Sequence, residues 1–506
     1  MLPAIAATGM NGRFAVVLIS GLAVTVVACA AAPLSPLVTA LPLALAVCAV
    51  GYARYPAAVL ALIVALVPLD IIAQLADVSP AFTLTIAKIA FPPLLIGVVW
   101  RIAILREPLR WNRQATYVLL LTLALAVSAL YMRESSLGLR GTRRYMSMAL
   151  LFLVTFQVVR RRRDVEWITL ALVISTMVSC TVGLYFYIRS GATFAVAAMG
   201  SKLSAAQGWS SRLTGMSMTD PNSFAALPAS AFMISTVLAF HTRRVLLRVL
   251  LLSSLPVYIL AIGFSYSRGA AVALSLGIVL LAWLYRRQVP MALSVGSMVL
   301  LALTMIPFLP DEFLARLGRL NAAGFITDHA LRRRLSYHAL GAVLFLRSPL
   351  TGLGPANFGH YYTMEEFRFL ANTFQDVRVM HNTLFSVLLD TGILGFVPFV
   401  LVVVSAFRSL ARADMQASRA RQPWPYPRAL LVGLCTYLIC QLFLQGQYSK
   451  VMWVMFALAP ACELLCRANG TCSSGFMGTG GSRAESPVGP SGRPPELAGL
   501  GREQVA

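Results

Sequence analysis

Arg212, Arg268 and His381 lie near the ends of long apolar segments, and their side chains could bind phosphate and transfer protons. A guanidinium group stays protonated and can donate to two oxygens of one phosphate group. An imidazole, with an ordinary pKa of about 6.5, can accept a proton from a hydroxyl group near neutral pH. Together the three side chains indicate a site for phosphate binding and proton transfer.

Each of these residues also has a plainer interpretation. An arginine at the end of a membrane helix is usually an interfacial anchor, and Arg212, in a longer connection, could simply be solvated. Arg268 lies between closely spaced apolar segments, where an unpaired charge costs about 3 kcal/mol, and this favours a phosphate partner. His381 could form hydrogen bonds at a helix start, with Asn382 as the N-cap residue.

Further polar side chains in the same region could contact a substrate. These candidate substrate-binding residues are Arg332, Arg333, Arg334, Tyr337, Asn357 and Asn382. The three consecutive arginines and the tyrosine could instead form a solvated helix face. The nearby histidines, His329, His338 and His360, have irregular spacings that match no metal-binding template, so we expect neither a metal nor a cofactor.

Asp70 and Lys88 lie inside predicted membrane spans. Ionisable side chains at such depth need partners, because an isolated charge is costly in hydrocarbon. The two residues fall on neighbouring antiparallel spans at similar distances from the same membrane face. We therefore expect a structural ion pair between them.

The composition places these residues in a membrane protein. Hydrophobic residues make up 58% of the 506 residues and charged residues only 12%, which is too little polar surface for a soluble enzyme. We predict an all-α integral membrane protein, a bundle of about 12–14 transmembrane helices. The predicted spans are 14–32, 37–52, 57–76, 82–100, 115–131, 145–159, 167–188, 223–240, 246–264, 269–285, 289–308, 383–407, 429–445 and 451–466.

The spans define a polytopic domain over residues 1–468. The remainder, 469–506, is rich in Gly, Ser, Pro and Arg, cannot bury a core, and is predicted to be a disordered cytoplasmic tail. The first span, 14–32, is expected to be a retained helix, because its apolar run exceeds the usual core of a cleaved signal peptide.

Lysine and arginine in the short connections predict the orientation of the bundle. By alternation, the basic connections fall on one side, which is predicted to be cytoplasmic: 101–113, 160–163, 243–248, 286–287 and 408–428. The basic segment 133–144 falls on the outer side, against this rule. The two long connections, 190–222 and 309–381, are also placed outside.

An amphipathic helix is predicted within the second long connection. Asp328 can cap a helix that runs to Arg347, and Pro349 ends it. Its apolar residues near helical spacing are Leu331, Leu335, Leu340 and Val343. We expect this helix to lie on the membrane surface.

Charge and cysteine content exclude two other classes. The formal net charge of +23 could suggest a nucleic-acid-binding protein, but the arginines lie in short connections and form no soluble basic domain. The eight cysteines lie mostly in apolar segments without a CxxC spacing, so they predict no disulfide framework and no zinc site.

Four motifs occur in order along the second half of the chain. They are the segment from Arg212 to the Asp-Pro-Asn at 220–222, Ser-Tyr-Ser-Arg-Gly at 265–269, Pro-Leu-Thr-Gly-Leu-Gly at 349–354, and His-Asn at 381–382. In this order they resemble the O-antigen ligase and O-antigen polymerase superfamily. Gly392 and Gly395 also match, whereas Asp390 stands where the family pattern leads us to expect glutamate.

The resemblance implies a reaction and its partners. The donor would be a glycan on undecaprenyl pyrophosphate, and the acceptor lipid A core or another glycan. It implies a bacterial inner-membrane protein with its active site facing the periplasm, and transfer without a nucleotide sugar or metal. Arg212 and Arg268 would hold the pyrophosphate, and His381 would act as the general base.

Related functions remain open at the level of sequence. A surface polysaccharide polymerase and a protein O-oligosaccharyltransferase would share these motifs. We favour a ligase-type enzyme because the outer connection before His381 is long and both arginines are present. A flippase for the same lipid-linked glycan is disfavoured, since alternating access needs polar groups along a central path, and here they gather at one face.

Overall fold

The structure is a computed structural model of the chain, and it describes residues 56–69, 86–104, 106–191, 212–216, 220–287, 296–297, 300, 303–318, 329–367, 378–419 and 424–474. In these ranges the regular elements are helices, and no strand is present. The predicted spans 14–32 and 37–52, most of 289–308, and the end of the predicted tail lie outside the described residues.

The described part of the chain is built from fourteen α-helices. In chain order they are α1 (Pro56–Leu66), α2 (Ile86–Ala103), α3 (Arg113–Leu130), α4 (Ser135–Val158), α5 (Arg162–Ser190), α6 (Pro221–His241), α7 (Val245–Phe264), α8 (Arg268–Tyr285), α9 (Asp311–Gly318), α10 (His329–Arg347), α11 (Phe358–Tyr362), α12 (Thr383–Arg419), α13 (Tyr426–Gln441) and α14 (Lys450–Ser474). Short 3-10 turns occupy Ile306–Phe308 and Glu365–Phe367.

Seven of the described helices are long and apolar enough to cross a membrane: α3, α5, α6, α7, α8, α12 and α14. Most lie within a few residues of the predicted spans; the span predicted at 223–240, for example, is α6, Pro221–His241. The prediction of an all-α, multi-pass membrane protein is therefore confirmed. The total of about 12–14 spans stays a prediction.

Two helices extend well beyond their predicted spans. α4 begins at Ser135, so most of the basic segment 133–144 is helix rather than connection. α12 continues to Arg419, and its last turns bury Leu410, Ala413 and Ala417 on one side. Hydropathy missed both stretches because charged residues on the exposed face lower the average of an amphipathic helix.

The centre of the bundle is α6, whose residues are buried almost throughout its length. It packs against α7, α8 and α13. Small residues allow close approach: a Cβ atom at Gly433 would lie 2.5 Å from the Ile234 side chain. Ser230 donates a 2.9 Å hydrogen bond to the Gly433 carbonyl. On the other side, α12 packs against α3 and α14.

A break in α12 receives the Pro-Leu-Thr-Gly-Leu-Gly turn. Gly392 has φ 60° and ψ −164°, which interrupts the helix. The freed backbone groups pair with the turn: Leu353 N donates to Leu389 O at 2.8 Å, and Ile393 N donates to Pro349 O at 2.9 Å. The turn therefore acts as a wedge that ties the outer connection to the helix beginning just after His381.

Asp390, beside this break, is the hub of a buried polar network. Its carboxylate accepts hydrogen bonds from Tyr145 Oη at 3.0 Å, Ala356 N at 3.0 Å and Gln447 Nε2 at 3.3 Å. These partners come from α4, the 349–358 turn and the α13–α14 connection. Such a set satisfies a buried acceptor and joins distant segments. A shorter aspartate fits where the family pattern suggested glutamate.

The first prediction concerns the fit of the wedge. A Cβ atom at Gly352, where φ is +73°, would lie 2.6 Å from both Gly392 N and Leu389 O. Gly352→Ala should therefore lower the midpoint of thermal unfolding in detergent more than Gly191→Ala. Gly191 also has positive φ, 64°, but a Cβ there would meet nothing within 4 Å. The backbone strain of about 1–3 kcal/mol is common to both variants, so equal midpoints would contradict the wedge.

The predicted amphipathic helix is present as α10, His329–Arg347, although Asp328 itself lies outside the described residues. Tyr337, Leu340 and Leu344 are buried against the protein, whereas Leu335 and Val343 are exposed by 51% and 38%. Apolar spacing could not distinguish a residue that meets the protein from one that meets lipid or solvent. The position of this helix on the membrane surface stays a prediction.

Candidate functional site

The first two motifs are joined by Arg212. Its guanidinium donates to the Ser265 carbonyl, with Nε at 2.9 Å and Nη2 at 2.7 Å, and to Asn222 Oδ1 at 2.8 Å. Leu213 N adds a 2.9 Å hydrogen bond to Phe264 O. The start of α6 and the α7–α8 turn thus meet at one end of the bundle, hereafter the motif end.

Asp220 caps the start of α6. Its carboxylate accepts from Ser223 N at 2.9 Å and from Asn222 Nδ2 at 3.2 Å. A polar chain therefore runs from Asp220 through Asn222 to Arg212. Because Pro221 follows the cap, the helix begins at a fixed place and holds this chain in register.

Arg268 is the first residue of α8 and is half-buried. Ser267 caps the helix, and its side chain accepts from Ala270 N. Beside it lies a small cavity that is open to solvent. Its lining includes Asn222, Ser267, Gly269, Arg334 and Phe443, and so combines α6, α8, α10 and the end of α13.

His381 is held against an aromatic cluster on α10 and α11. Its ring stacks on Tyr337, with ring centroids 6.0 Å apart and an interplanar angle of 25°. Tyr337 in turn meets Tyr362 and Phe358 edge-on, at 5.0 and 6.3 Å. The backbone of His381 has φ +50°, an uncommon conformation for a residue other than glycine. Such strain is found most often at functional sites.

Burial and, to a smaller extent, the charges of Arg334, Arg378 and Arg333 together lower the pKa of His381 to about 4, against the opposing effect of Asp220. The imidazole is therefore neutral at pH 7 and can accept a proton. A bound anion beside these arginines would raise the pKa of His381 toward neutrality and so strengthen it as a base.

Asn382 performs the capping role that the sequence allowed. Its Oδ1 accepts from Phe385 N at 3.1 Å, and its Nδ2 lies 3.5 Å from His338 Nε2. His338 Nδ1 is 2.7 Å from the Arg334 carbonyl. These contacts fasten α10 to the start of α12, and they fix Arg334 relative to His381.

The remaining predicted residues are placed as follows. Arg333 and Arg334 are half-buried close to His381, whereas the side chain of Arg332 lies outside the described residues. So do Asp70 and the side chain of Lys88, and their ion pair stays a prediction.

Asn357 is fully buried. Its Oδ1 accepts from Glu134 N at 2.9 Å, and its Nδ2 donates to Pro355 O at 3.3 Å. The amide is thus committed to joining the 349–358 turn to the α3–α4 link, and we assign it to the scaffold of the site rather than to substrate contact.

Two charged residues at the site were not singled out from the sequence. Asp220 was visible inside the Asp-Pro-Asn motif, and Arg378 lies three positions before His381. Nothing local marks Arg378 as different from the other arginines of the outer connection; its role depends on the ring it faces. Among the described residues, no group of three or more His, Cys, Asp or Glu is arranged to hold a metal ion.

Comparison with known families agrees with this arrangement. Residues 249–400 match the family model described as O-Antigen ligase. The match begins inside α7 and ends inside α12, so it contains Arg268, the wedge turn, Asp390 and His381, while Arg212 precedes it. A search of curated proteins gave no match. The match over residues 249–400 agrees with the O-antigen ligase and O-antigen polymerase superfamily and so confirms the resemblance drawn from the motifs.

Proposed function

We propose that this protein transfers a glycan from undecaprenyl pyrophosphate to a hydroxyl group of a sugar acceptor, as an O-antigen ligase-type enzyme on the periplasmic face of the bacterial inner membrane. The observation that carries the proposal is the position of the His381 ring at the motif end, stacked on Tyr337 and close to Arg333, Arg334 and Arg378. A proton acceptor surrounded by fixed positive charge suits attack by a hydroxyl group on a phosphate-activated carbon.

The reaction assigns one task to each group. His381 removes the proton of the acceptor hydroxyl as its oxygen bonds to the anomeric carbon of the donor. The bond between that carbon and the pyrophosphate oxygen breaks, and the leaving group departs with the electron pair. Arg268, the first residue of α8, and Arg334, which lines the open cavity, stabilise the growing negative charge. Arg212 holds the Ser265 carbonyl and so fixes the start of α8.

Fixed guanidinium groups supply the charge stabilisation for which other phosphate-transfer sites use a metal ion. The same chemistry serves a ligase, a polysaccharide polymerase and a protein O-oligosaccharyltransferase, since only the acceptor hydroxyl differs. We favour the ligase because the outer connection before His381 provides a long segment for a large acceptor.

Reconstitution tests the proposal directly. Purified full-length protein in liposomes should transfer glycan from undecaprenyl pyrophosphate to lipid A core. A second undecaprenyl-linked glycan and a serine-containing peptide, offered in parallel, distinguish a polymerase and a protein glycosyltransferase. Translocation of the donor without any new glycosidic bond would reject transfer and indicate a flippase.

A second prediction concerns the pH dependence of the reaction. Because the pKa of His381 is lowered to about 4, kcat/KM should stay level as the pH falls from 7 and should decline only as it approaches that value. Arg334→Met removes a charge that opposes protonation, so it should shift this decline to higher pH, whatever its effect on the maximum rate. The measurement is kcat/KM between pH 4 and 8 for the parent protein and for Arg334→Met. If both declined in the same way near pH 6.5, the assignment of His381 as the base would be contradicted.

The third prediction concerns sidedness. Single cysteines at Arg419, exposed at the end of α12, and Glu366, half-exposed after α11, should label from opposite sides of the membrane in a cysteine-free background. An impermeant maleimide applied to spheroplasts should reach only Glu366→Cys. Labelling of both from outside would overturn the proposed orientation, and Arg347→Cys, which pairs with Glu366, provides a second outer position.

A further inference from the structure

Four arginines at the start of α4 take no part in the site described above. Arg133 precedes the helix, and Arg140, Arg143 and Arg144 lie on its first turns. Their spacing of three and four residues places the last three on one side of the helix. All four side chains are exposed. They lie at the motif end, where the positive-inside rule does not favour arginine.

Among the described residues, no salt bridge joins these arginines to a carboxylate, although the charge of Arg140 acts on Glu134. Arg140 Nε donates to the Ser136 carbonyl at 3.2 Å. The nearby carboxylate, that of Glu134, accepts instead from Ser136 N at 3.2 Å and Ser136 Oγ at 2.7 Å. The cluster therefore retains a strong excess of positive charge.

Aromatic rings flank the cluster on both sides. The guanidinium of Arg133 lies over the Tyr361 ring at 5.9 Å, and that of Arg144 over the Tyr448 ring at 5.7 Å. Such stacking orients a guanidinium while its N–H groups remain directed outward around the ring edge. The guanidinium N–H groups of Arg133 and Arg144 can therefore donate hydrogen bonds to a ligand that lies beside α4.

The depth of the cluster points to lipid. The charged start of α4 is followed directly by the apolar segment predicted as the span 145–159. Arg143 and Arg144 immediately precede this segment, which places them near the level where headgroups meet acyl chains. The same exposed side continues toward the membrane centre with Met146 and Leu150, exposed by 40% and 36%. Positive charge above an apolar strip matches a molecule with a phosphate headgroup and acyl chains.

We propose that Arg133, Arg140, Arg143 and Arg144 form a second phosphate-binding site, which holds the headgroup of a phosphorylated lipid in the outer leaflet. The lipid's acyl chains lie along Met146 and Leu150. One guanidinium group can donate two parallel hydrogen bonds to two oxygens of a phosphate group. These bonds offset the free energy cost of placing the arginine charge at the membrane boundary. The chemical class of the ligand is a lipid with a phosphate monoester or diester.

The α13–α14 connection links this second site to the first. Tyr448 belongs to it, as does Leu444, which lines the cavity. Thr383 Oγ1 donates to Leu444 O at 2.8 Å and accepts from Gly446 N at 2.7 Å, fastening the connection to the first turn of α12. A lipid bound at the start of α4 is thus separated from His381 by the first turn of α12. This position would suit a lipid-linked acceptor. This last extension rests on the proposed function, whereas phosphate binding does not.

Site-specific photocrosslinking tests the proposal without any activity assay. Full-length protein is placed in phosphatidylcholine nanodiscs that contain either phosphatidic acid or phosphatidylcholine with the same diazirine-bearing acyl chain. After illumination, peptides are mapped by mass spectrometry. The α4 segment 133–150 should be labelled at least about tenfold more by phosphatidic acid, equivalent to about 1.4 kcal/mol. Equal labelling by the two lipids would overturn the proposal.

Matched variants assign the effect to the arginines. The triple variant Arg140→Gln, Arg143→Gln, Arg144→Gln should abolish the preference for phosphatidic acid on this segment. The control variant Arg243→Gln, Arg244→Gln, Arg248→Gln removes equal charge from exposed positions at the opposite end of the bundle, and it should leave α4 labelling unchanged.

Two further arms complete the test. The double variant Arg140→Gln, Arg143→Gln keeps the Arg144 contact with Tyr448 and should still lose most of the preference, should the triple variant prove poorly folded. Inorganic phosphate at 10 mM, about the concentration at which a simple anion site saturates, should not compete. Complete displacement would show a site for free phosphate, and an unchanged preference in folded variants would show that the arginines do not bind the lipid. Neither result would bear on glycan transfer.

Discussion

His381→Ala is expected to lower turnover by about 100-fold to 10,000-fold, the usual range for the loss of a general base, while donor binding persists. The physical reason is that the ring of His381, which lies close to Arg333 and Arg334, is the group assigned to accept the hydroxyl proton, and alanine cannot accept it. The measurement is kcat and KM in liposomes, with insertion and monodispersity checked for each variant.

Two further variants distinguish the loss of the imidazole group from a change in the backbone conformation at position 381. Asparagine tolerates positive φ but cannot accept a proton at this pH, so His381→Asn should keep the φ of +50° and lose as much activity as alanine. His360→Ala changes a histidine of the same outer connection whose ring contacts Tyr361 instead, and it should stay within about threefold of the parent. Near-normal turnover in well-inserted His381→Asn would remove His381 from the mechanism.

Arg268→Ala should weaken donor binding and also lower turnover by about 100-fold to 1,000-fold, the loss typical of removing one preorganised donor to a developing negative charge. Arg268→Lys should restore only part of this loss, because an ammonium group keeps the charge but cannot bind two phosphate oxygens in a plane. KM for the donor should rise in both variants, which distinguishes them from His381→Ala.

The same helix provides the control for this prediction. Arg286, at the other end of α8, is exposed and lies over the Trp283 ring at 4.4 Å. Arg286→Ala removes one charge from α8 without touching the motif end, so its kinetics should be close to those of the parent. If Arg268→Lys were fully active, the paired geometry assigned to Arg268 would be incorrect, although a role for its charge would remain.

The two sets of kinetics together test the division of labour within the site. Loss of the base should act on the chemical step alone, whereas loss of the phosphate ligand should act on binding and on the chemical step. Arg334 and His381 both depend on the wedge, the 349–354 turn that enters the break at Gly392. The wedge holds α10 and the start of α12 in place, and these carry the two side chains.

The sequence by itself determined the membrane class and the location of the seven described helices that are long and apolar enough to cross a membrane. This was possible because lipid imposes a local rule: a span must be apolar over about 20 residues, whatever it packs against. The motifs also nominated Arg212, Arg268 and His381, and their order along the chain indicated the family whose model matches residues 249–400. Helix starts at capping residues such as Asp220 and Ser267 follow from equally local chemistry.

Only the tertiary structure decided which polar residues face the site and which hold it together. Asp390 and Tyr145 are 245 positions apart, as Asn357 and Glu134 are 223 apart, and no local pattern announces such pairs. The packed face of α10 was likewise chosen by the helices it meets rather than by its own spacing. Long-range hydrogen bonds and packing depend on which surfaces the folded chain brings together, so the sequence could nominate Asn357 but could not say that its amide was already occupied.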